Sequence, residues 1–313
     1  MSERYLLTWL NRRVYIDRAT IGPIRRTIED QVTAPADQVE IDIWLDSPGG
    51  DAHAAYKLAL MLRAAASRVR VVVPDYAKSA ATLLATVGNE IYVAPGADLG
   101  PLDAQMPDEG SVSGSISALN IARAADEVAR DAVDMAMKGG ADLLAITGLS
   151  RAQTIDAMLT FSARFSEPLV RQLDPKVVHH AKQTLQVTAK YAEQLLTASG
   201  CVNPDEIANE LVETFPTHGY AISPSEARSL GLPIKPLVDY EFANAVQEKY
   251  RNTEAGAGLI RFCRLEDAVP EAAKKKKTAR KQAKGGGRNG RPTDEQKERG
   301  KSNSAGSRAA GAV

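Results

Sequence analysis

The sequence predicts an α/β fold: a mainly parallel sheet of repeated βαβ units, then a helical region, then a basic tail outside the fold. Three observations predict it. Short β-branched runs alternate with helical stripes in the first part of the chain. The apolar period becomes helical from Ser115 to about Leu211, and after about Ala268 the residues able to form a core almost disappear.

The first clear strand is Val39-Glu40-Ile41-Asp42-Ile43-Trp44-Leu45, a largely buried run that ends at Asp46-Ser47-Pro48-Gly49-Gly50. Apolar residues at Leu58, Met61, Leu62 and Ala65 then mark one face of a helix. Val69-Arg70-Val71-Val72-Val73 is a second strand, closed by Pro74, and a helix of small residues starts near Ser79 and stops at Gly88. Ile91-Tyr92-Val93 is a third strand, with Leu99-Gly100-Pro101-Leu102-Asp103-Ala104-Gln105 as the loop beyond it. The helical region is expected to break at Gly139-Gly140, Gly148, Pro175 and Gly200, and Ser223-Pro224 opens a further short helix. In sheets of this type ligands sit beyond the carboxyl ends of the strands, where the three loops fall.

The chain has 313 residues, 44% apolar and 25% charged, the balance of a globular protein with a sizeable core. No run approaches the roughly 18 apolar residues needed to cross a bilayer. The apolar patch in the first thirteen residues is short and has no small-residue cleavage site, so no signal peptide is expected. Cys201 and Cys263 lie far apart without metal-type spacing. Two free thiols in a reducing cytoplasm, and neither metal nor cofactor, is the expectation. The formal charge of zero hides an asymmetry: from Lys274 onward there are 13 Lys/Arg against 3 Asp/Glu, so the body is acidic and the tail basic. The expected boundaries are a folded domain over residues 1–255 and a linker with a disordered tail over 256–313. Such a tail either contacts nucleic acid or acidic surfaces or is a solvated extension.

Two motifs carry candidate chemistry. Gly49 and Gly50 follow a buried strand and precede a helix, where glycine permits positive φ and brings backbone amides close to a ligand. Ser79 opens the small-residue helix directly after a strand, and is either a helix cap or a nucleophile with the next amide, that of Ala80, at hand.

Their pairing, with 29 residues from Gly50 to Ser79, resembles the ClpP protease family of the ClpP/crotonase-like superfold. The resemblance implies that the amides of Gly50 and Ala80 form the oxyanion hole. A closer resemblance rests on Asp46-Ser47-Pro48-Gly49-Gly50-Asp51-Ala52, Tyr76-Ala77-Lys78-Ser79-Ala80-Ala81-Thr82, the loop from Leu99 to Gln105, and Pro216-Thr217-His218-Gly219. Together these are similar to the serine dehydrogenase proteinase family, related to signal peptide peptidases. That family implies a serine peptidase acting on peptides or proteins, with Ser79, Asp103 and His218 as its triad, and an oligomer. Ala104 departs from the family's expected proline and bears on the rigidity of that loop.

A serine hydroxyl needs a base, and imidazole titrates near neutral pH. Besides His218, His53 stands on the first turn after Gly50, while His179 and His180 lie on a polar helix. A Ser–Lys dyad is the rival mechanism, with Lys138 as its base; Lys78 adjoins Ser79, and its side chain is expected to diverge from it. Two other classes remain open: a non-catalytic oligomer presenting its basic tail, and a crotonase-type acyl-CoA enzyme that has no need of Ser79.

Overall fold

The computed structural model describes residues 2–10, 15–107, 115–250 and 259–269. Its elements in chain order are β1 (Glu3–Leu10), α1 (Arg18–Gln31), β2 (Val39–Asp46), α2 (Ala52–Ala65), β3 (Arg68–Val73), β4 (Tyr76–Ala77), α3 (Ala80–Ala85), β5 (Glu90–Val93) and β6 (Asp98–Leu99). They continue as β7 (Gln105–Pro107), β8 (Ser115–Ser117), α4 (Ala118–Ile146), α5 (Arg151–Val170), α6 (Pro175–Ser199), α7 (Pro204–Glu213) and α8 (Pro224–Ser229). The last are β9 (Ile234–Pro236), α9 (Ala243–Tyr250), β10 (Leu259–Arg264) and α10 (Leu265–Ala268).

The main sheet has the order β10-β1-β2-β3-β5-β9. Neighbours from β1 to β9 are parallel, and β10 is antiparallel to β1. Parallel strands of this kind are covered on both faces, which is why most residues of β2 and β3 are buried even where a charged residue interrupts the apolar run. Ile41, Ile43, Leu45, Val69, Val71 and Val73 are fully buried, with Trp9 at the end of β1.

Two boundaries differ from the sequence pattern. β10 falls in the segment expected to be linker, yet Leu259 to Arg264 pair in register with Leu10 to Tyr5 and cover the edge of β1. The signal is weak because Leu259-Ile260-Arg261-Phe262-Cys263-Arg264 is a short isolated run beyond a polar stretch. The basic tail from Lys274 lies outside the described residues. α4 also runs straight through Gly139-Gly140. Cβ atoms there would stand 3.2 Å from Met158 of α5, so these glycines admit a close helix–helix approach instead of breaking the helix. Gly148 does separate α4 from α5, Pro175 opens α6, and Gly200 closes α6 at φ 87°.

Inside β2 sits a charge that the strand pattern does not explain by itself. Asp42 is fully buried. It accepts hydrogen bonds from Arg4 Nε at 2.8 Å, Arg70 at 3.2 Å and the Tyr240 hydroxyl at 2.7 Å, so a carboxylate inside the fold is fully partnered. Burial, followed by the Asp42 charge, pushes the Tyr240 hydroxyl well above its usual range. Nearby, Glu90 of β5 is ion-paired with Lys235 and with Arg68 at 3.0 Å. Burial alone would raise its pKa, but hydrogen bonds from Lys235 and Tyr92 and the two positive charges outweigh it and hold Glu90 at about 2.

A folded-state pKa below the unfolded value contributes stability that is present above the unfolded pKa and lost as pH falls through the folded one. The stability difference between wild type and Glu90→Gln is therefore expected to shrink as pH falls from about 4.5 to about 2. Urea midpoints across that window measure it, and a difference independent of pH would contradict this account of Glu90.

Candidate active site

The site is built on a second, smaller ladder at the carboxyl ends of the main strands. Ser47, just past β2, bridges Ala77 of β4 in parallel; Ala77 pairs with Leu99 of β6; Leu99 bridges Ile222 in antiparallel fashion. The bonds include Ser47 N–H to Tyr76 carbonyl at 3.1 Å, Lys78 N–H to Ser47 carbonyl at 3.1 Å, and reciprocal Leu99–Ile222 bonds at 3.0 and 2.9 Å. Four segments distant in sequence thus lie side by side, and each leads within a few residues to one of the expected groups: Gly50, Ser79, Asp103 and His218.

The two motifs meet at the first of these contacts. Gly49 has φ +102°, and a Cβ on it would stand 2.4 Å from the Lys78 carbonyl oxygen and 3.0 Å from the Ala80 nitrogen. No side chain fits there. Gly50, at φ +145°, is pressed in turn against Ile16, where a Cβ would lie 2.3 Å from the carbonyl oxygen. Ile16 donates to the Gly49 carbonyl at 2.8 Å and accepts from Asp51 N–H at 2.7 Å. Asp51 then caps α2 by accepting from His53 N–H at 2.7 Å. Both glycines are therefore dictated by backbone-to-backbone approach.

Ser79 has φ 51° and ψ −120°, one of two non-glycine residues with positive φ among the described residues. Its side chain makes no capping hydrogen bond, so the helix-cap alternative does not describe it. Ser79 thus stands in a sparsely populated conformation at a strand-to-helix turn, half-buried and lining a cavity. Thr82, one turn on, locks the geometry: its buried hydroxyl donates to the Ala77 carbonyl at 2.7 Å and accepts from Gly100 N–H at 3.1 Å.

Asp103 is buried beside the start of α4, and its Oδ1 accepts from Leu119 N–H at 3.1 Å. The Ala104 carbonyl accepts from Ala118 N–H at 2.9 Å, so α4 supplies the rigidity that a proline at 104 would otherwise give. His218 lies on the turn closed by Tyr220 N–H to Thr217 carbonyl at 3.1 Å. Its Nδ1 is buried without a hydrogen-bond partner among the described residues and faces Asp103 Oδ2 at 4.0 Å, within ion-pair range but beyond a hydrogen bond.

Gly50, Ser79, Ala80 and His218 line one cavity of about 1090 Å³, with Leu83 and Leu102 in its wall and α6 as its far side. Leu102 and Ala104 flank Asp103, which stands behind His218. His53 is also at this cavity, exposed, with Nδ1 2.9 Å from the Tyr191 hydroxyl of α6; His180 lines it from α6, while His179 is exposed outside its lining. Lys138 is exposed on α4, outside the cavity lining. The Lys78 ammonium is directed to Asp98 rather than into the cavity, as expected for a side chain next to Ser79. Among the described residues no group of His, Cys, Asp and Glu could hold a metal ion, and no helix is long and apolar enough to cross a membrane.

Residues missed by motif reading are Ile16, Thr82 and Leu119. Each acts through backbone pairing or a single hydroxyl; Thr82 alone carried a signal, as part of the motif around Ser79.

The requirement at Gly49 is testable against Gly219, which has open space around it. Gly49→Ala is expected to lose about 2 kcal/mol or more of stability, whereas Gly219→Ala stays within about 1 kcal/mol. Urea unfolding of both variants measures this, and equal losses would contradict the close approach at Gly49.

With this geometry in place, residues 15–140 match the family described as ClpP-like SDH-type serine proteinase. The match includes Gly50, Ser79, Ala80, Asp103 and Lys138 and ends before His218. An uncharacterised protein of Methanocaldococcus jannaschii is 28% identical over 229 residues, 73% of this chain and 64% of that protein, so the chain spans just under two thirds of its length. A second uncharacterised protein of that organism is 33% identical over 86 residues, 26% of this chain and 30% of the relative. Two solved variants of a membrane-bound stomatin-specific protease, one with a substrate peptide, are 18% identical with TM-scores of 0.44. They cover 79% of this chain, and 84% and 80% of theirs.

Proposed function

We propose that this chain, which over residues 15–140 belongs to the ClpP-like SDH-type serine proteinase family, is a serine peptidase that cleaves peptide bonds through an acyl-enzyme on Ser79. The observation that carries the reading is the backbone of Ser79, held at positive φ against the Gly49–Gly50 turn, with Gly50, Ser79 and Ala80 lining the same cavity as His218.

In this mechanism His218 takes the Ser79 hydroxyl proton as the oxygen attacks the scissile carbonyl. Negative charge develops on the carbonyl oxygen, and the Gly50 and Ala80 amides receive it. His218 next protonates the leaving amine, and water repeats the sequence on the acyl-enzyme. Asp103, fixed by α4, orients the imidazole and stabilises its charged form. Closing the 4.0 Å gap to a hydrogen bond takes a ring displacement of about 1 Å, and catalytic hydrogen bonds in unliganded sites commonly tighten only when substrate binds. The triad is favoured over a Ser79–Lys138 dyad because Lys138 is solvent-exposed outside the lining of the cavity that holds Ser79.

The α4–α5 hairpin exposes Val133, Met137, Ile146, Ile155 and Leu159, with Ile146 at 81% and Met137 at 71%. Apolar exposure of this extent supports a homo-oligomer formed through this hairpin. Cys201 and Cys263, both free thiols, support a reducing cytoplasmic setting. The basic tail would then be an auxiliary contact for acidic surfaces or nucleic acid.

A fluorophosphonate probe is expected to label the wild type and to leave Ser79→Ala unlabelled. His218→Gln and Asp103→Asn should each slow peptide hydrolysis by about 10³–10⁴-fold. Labelling that persists in Ser79→Ala would reject this site, and full activity in His218→Gln would reject the triad. For the hairpin, Met137→Glu combined with Ile146→Glu should lower the molar mass in analytical ultracentrifugation; an unchanged assembly would place the interface elsewhere.

A further inference from the structure

Lys78 adjoins the proposed nucleophile, yet its ammonium is directed to Asp98 and to two backbone carbonyls. Nζ pairs with Asp98 Oδ1 at 2.5 Å and donates to the carbonyls of Leu99 at 3.4 Å and Tyr220 at 3.3 Å. An ammonium has three protons, and three acceptors surround this one. The two carbonyls belong to different segments. Leu99 lies four residues before Asp103, and Tyr220 lies two residues after His218.

The rest of the residue reaches the segment that carries Gly49 and Gly50. Lys78 N–H donates to the Ser47 carbonyl, and the Lys78 carbonyl is the atom nearest to Gly49 in the glycine turn. Its stem crosses Gly100, where a Cβ would lie 2.7 Å from Lys78 Cδ and 3.0 Å from its Cα. The glycine in the loop that carries Asp103 is thus the imprint of this lysine. Lys78, which continues one segment of the site ladder, therefore touches the other three, and it is covalently joined to a serine whose φ of 51° must be held by its surroundings.

We propose that Lys78 is a positioning residue for the peptidase reaction, its ammonium tying the Ser79 turn to the segments that carry Asp103 and His218. The proposal rests on the Ser79–His218–Asp103 reading. Lys78 touches no substrate and moves no proton; it acts by fixing where the Ser79 hydroxyl stands relative to the imidazole. Losing the ammonium takes its partner from the Asp98 carboxylate and the Tyr220 carbonyl, while the Leu99 carbonyl keeps its bond from Ile222 N–H, and the turn at 217–220 is freed to drift from Ser79.

The test uses the full chain and a saturable fluorophosphonate probe, which separates reversible binding from the covalent step at Ser79. Lys78→Met should slow the covalent step by about 10- to 100-fold, with probe binding within about twofold of wild type. Lys78→Arg, which keeps the charge, should recover part of that loss. Ile28→Ala, in the α1 core away from the site, serves as a variant of comparable stability loss and should label at close to the wild-type rate. Should Lys78→Met not fold, Asp98→Asn carries the test with an expected loss of at least threefold in the same step, about 0.7 kcal/mol.

An unchanged covalent step in Lys78→Met, or in Asp98→Asn where that variant decides, would overturn the proposal. So would equal slowing in Ile28→Ala, which would make the effect one of general stability. A wild type that is not labelled at Ser79 would instead remove the nucleophile reading, and this inference with it.

Discussion

The site depends on one close approach: the Gly49 backbone pressed against the peptide that joins Lys78 to Ala80. With a Cβ position only 2.4 Å from the Lys78 carbonyl, the contact exists only because residue 49 has no side chain. From it follow the positive-φ path of the glycine turn, the strained backbone of Ser79, and the placement of Gly50 and Ala80 at one cavity. Ile16 presses on the other side of the turn, so the glycines are fixed between two backbones. Strain of about 1–3 kcal/mol at a residue such as Ser79 persists only when its surroundings over-determine it, and here they do so with main-chain atoms.

The small ladder turns this local constraint into a site. A parallel sheet delivers loops to one end, but loops alone are mobile, and catalytic geometry tolerates errors of well under an ångström. Pairing Ser47 with Ala77, Ala77 with Leu99 and Leu99 with Ile222 makes those loops strands of a second layer. Asp103 receives its own brace from the first turn of α4, so the helical region that follows the βαβ units also belongs to the site. The Ala118–Ala104 bond shows how a helix terminus substitutes for a missing proline.

Much of this was legible in the sequence, and the remainder failed for physical reasons. Strands β2, β3 and β5 announced themselves because they are short segments rich in β-branched and aromatic residues between turn signals. The glycine pair and Ser79 stood out because their types are restricted where backbones touch or turn. Gly139-Gly140 misled for the same reason in reverse: glycine marks both helix ends and close helix contacts, and only Met158 across the gap distinguishes them. β10 was invisible because an edge strand is defined by its partner, β1, more than 240 residues earlier. The partners of Asp42 could not be read from its strand, since no local pattern places Arg4, Arg70 and Tyr240 around it. The divergence of Lys78 from Ser79 followed from strand geometry, whereas its destination required the tertiary pairing of β4 with β6.

These constraints leave the candidate groups unequally held, and that inequality has chemical sense. Ser79, Gly50 and Ala80 are set by main-chain contacts, and Asp103 by a helix terminus. His218 sits instead on a short turn, its side chain 30% exposed and its Nδ1 poised 4.0 Å from Asp103 without another partner among the described residues. In the proposed cycle the imidazole alone must face two different atoms in turn, first the serine hydroxyl and then the leaving amine. A base anchored as tightly as the oxyanion donors would serve one of these steps poorly. Donors that receive developing charge gain from rigidity, because reorganising them would add to the barrier. A proton shuttle needs a small, bounded travel. The Lys78 tether at Tyr220, two residues beyond His218, bounds that travel without removing it.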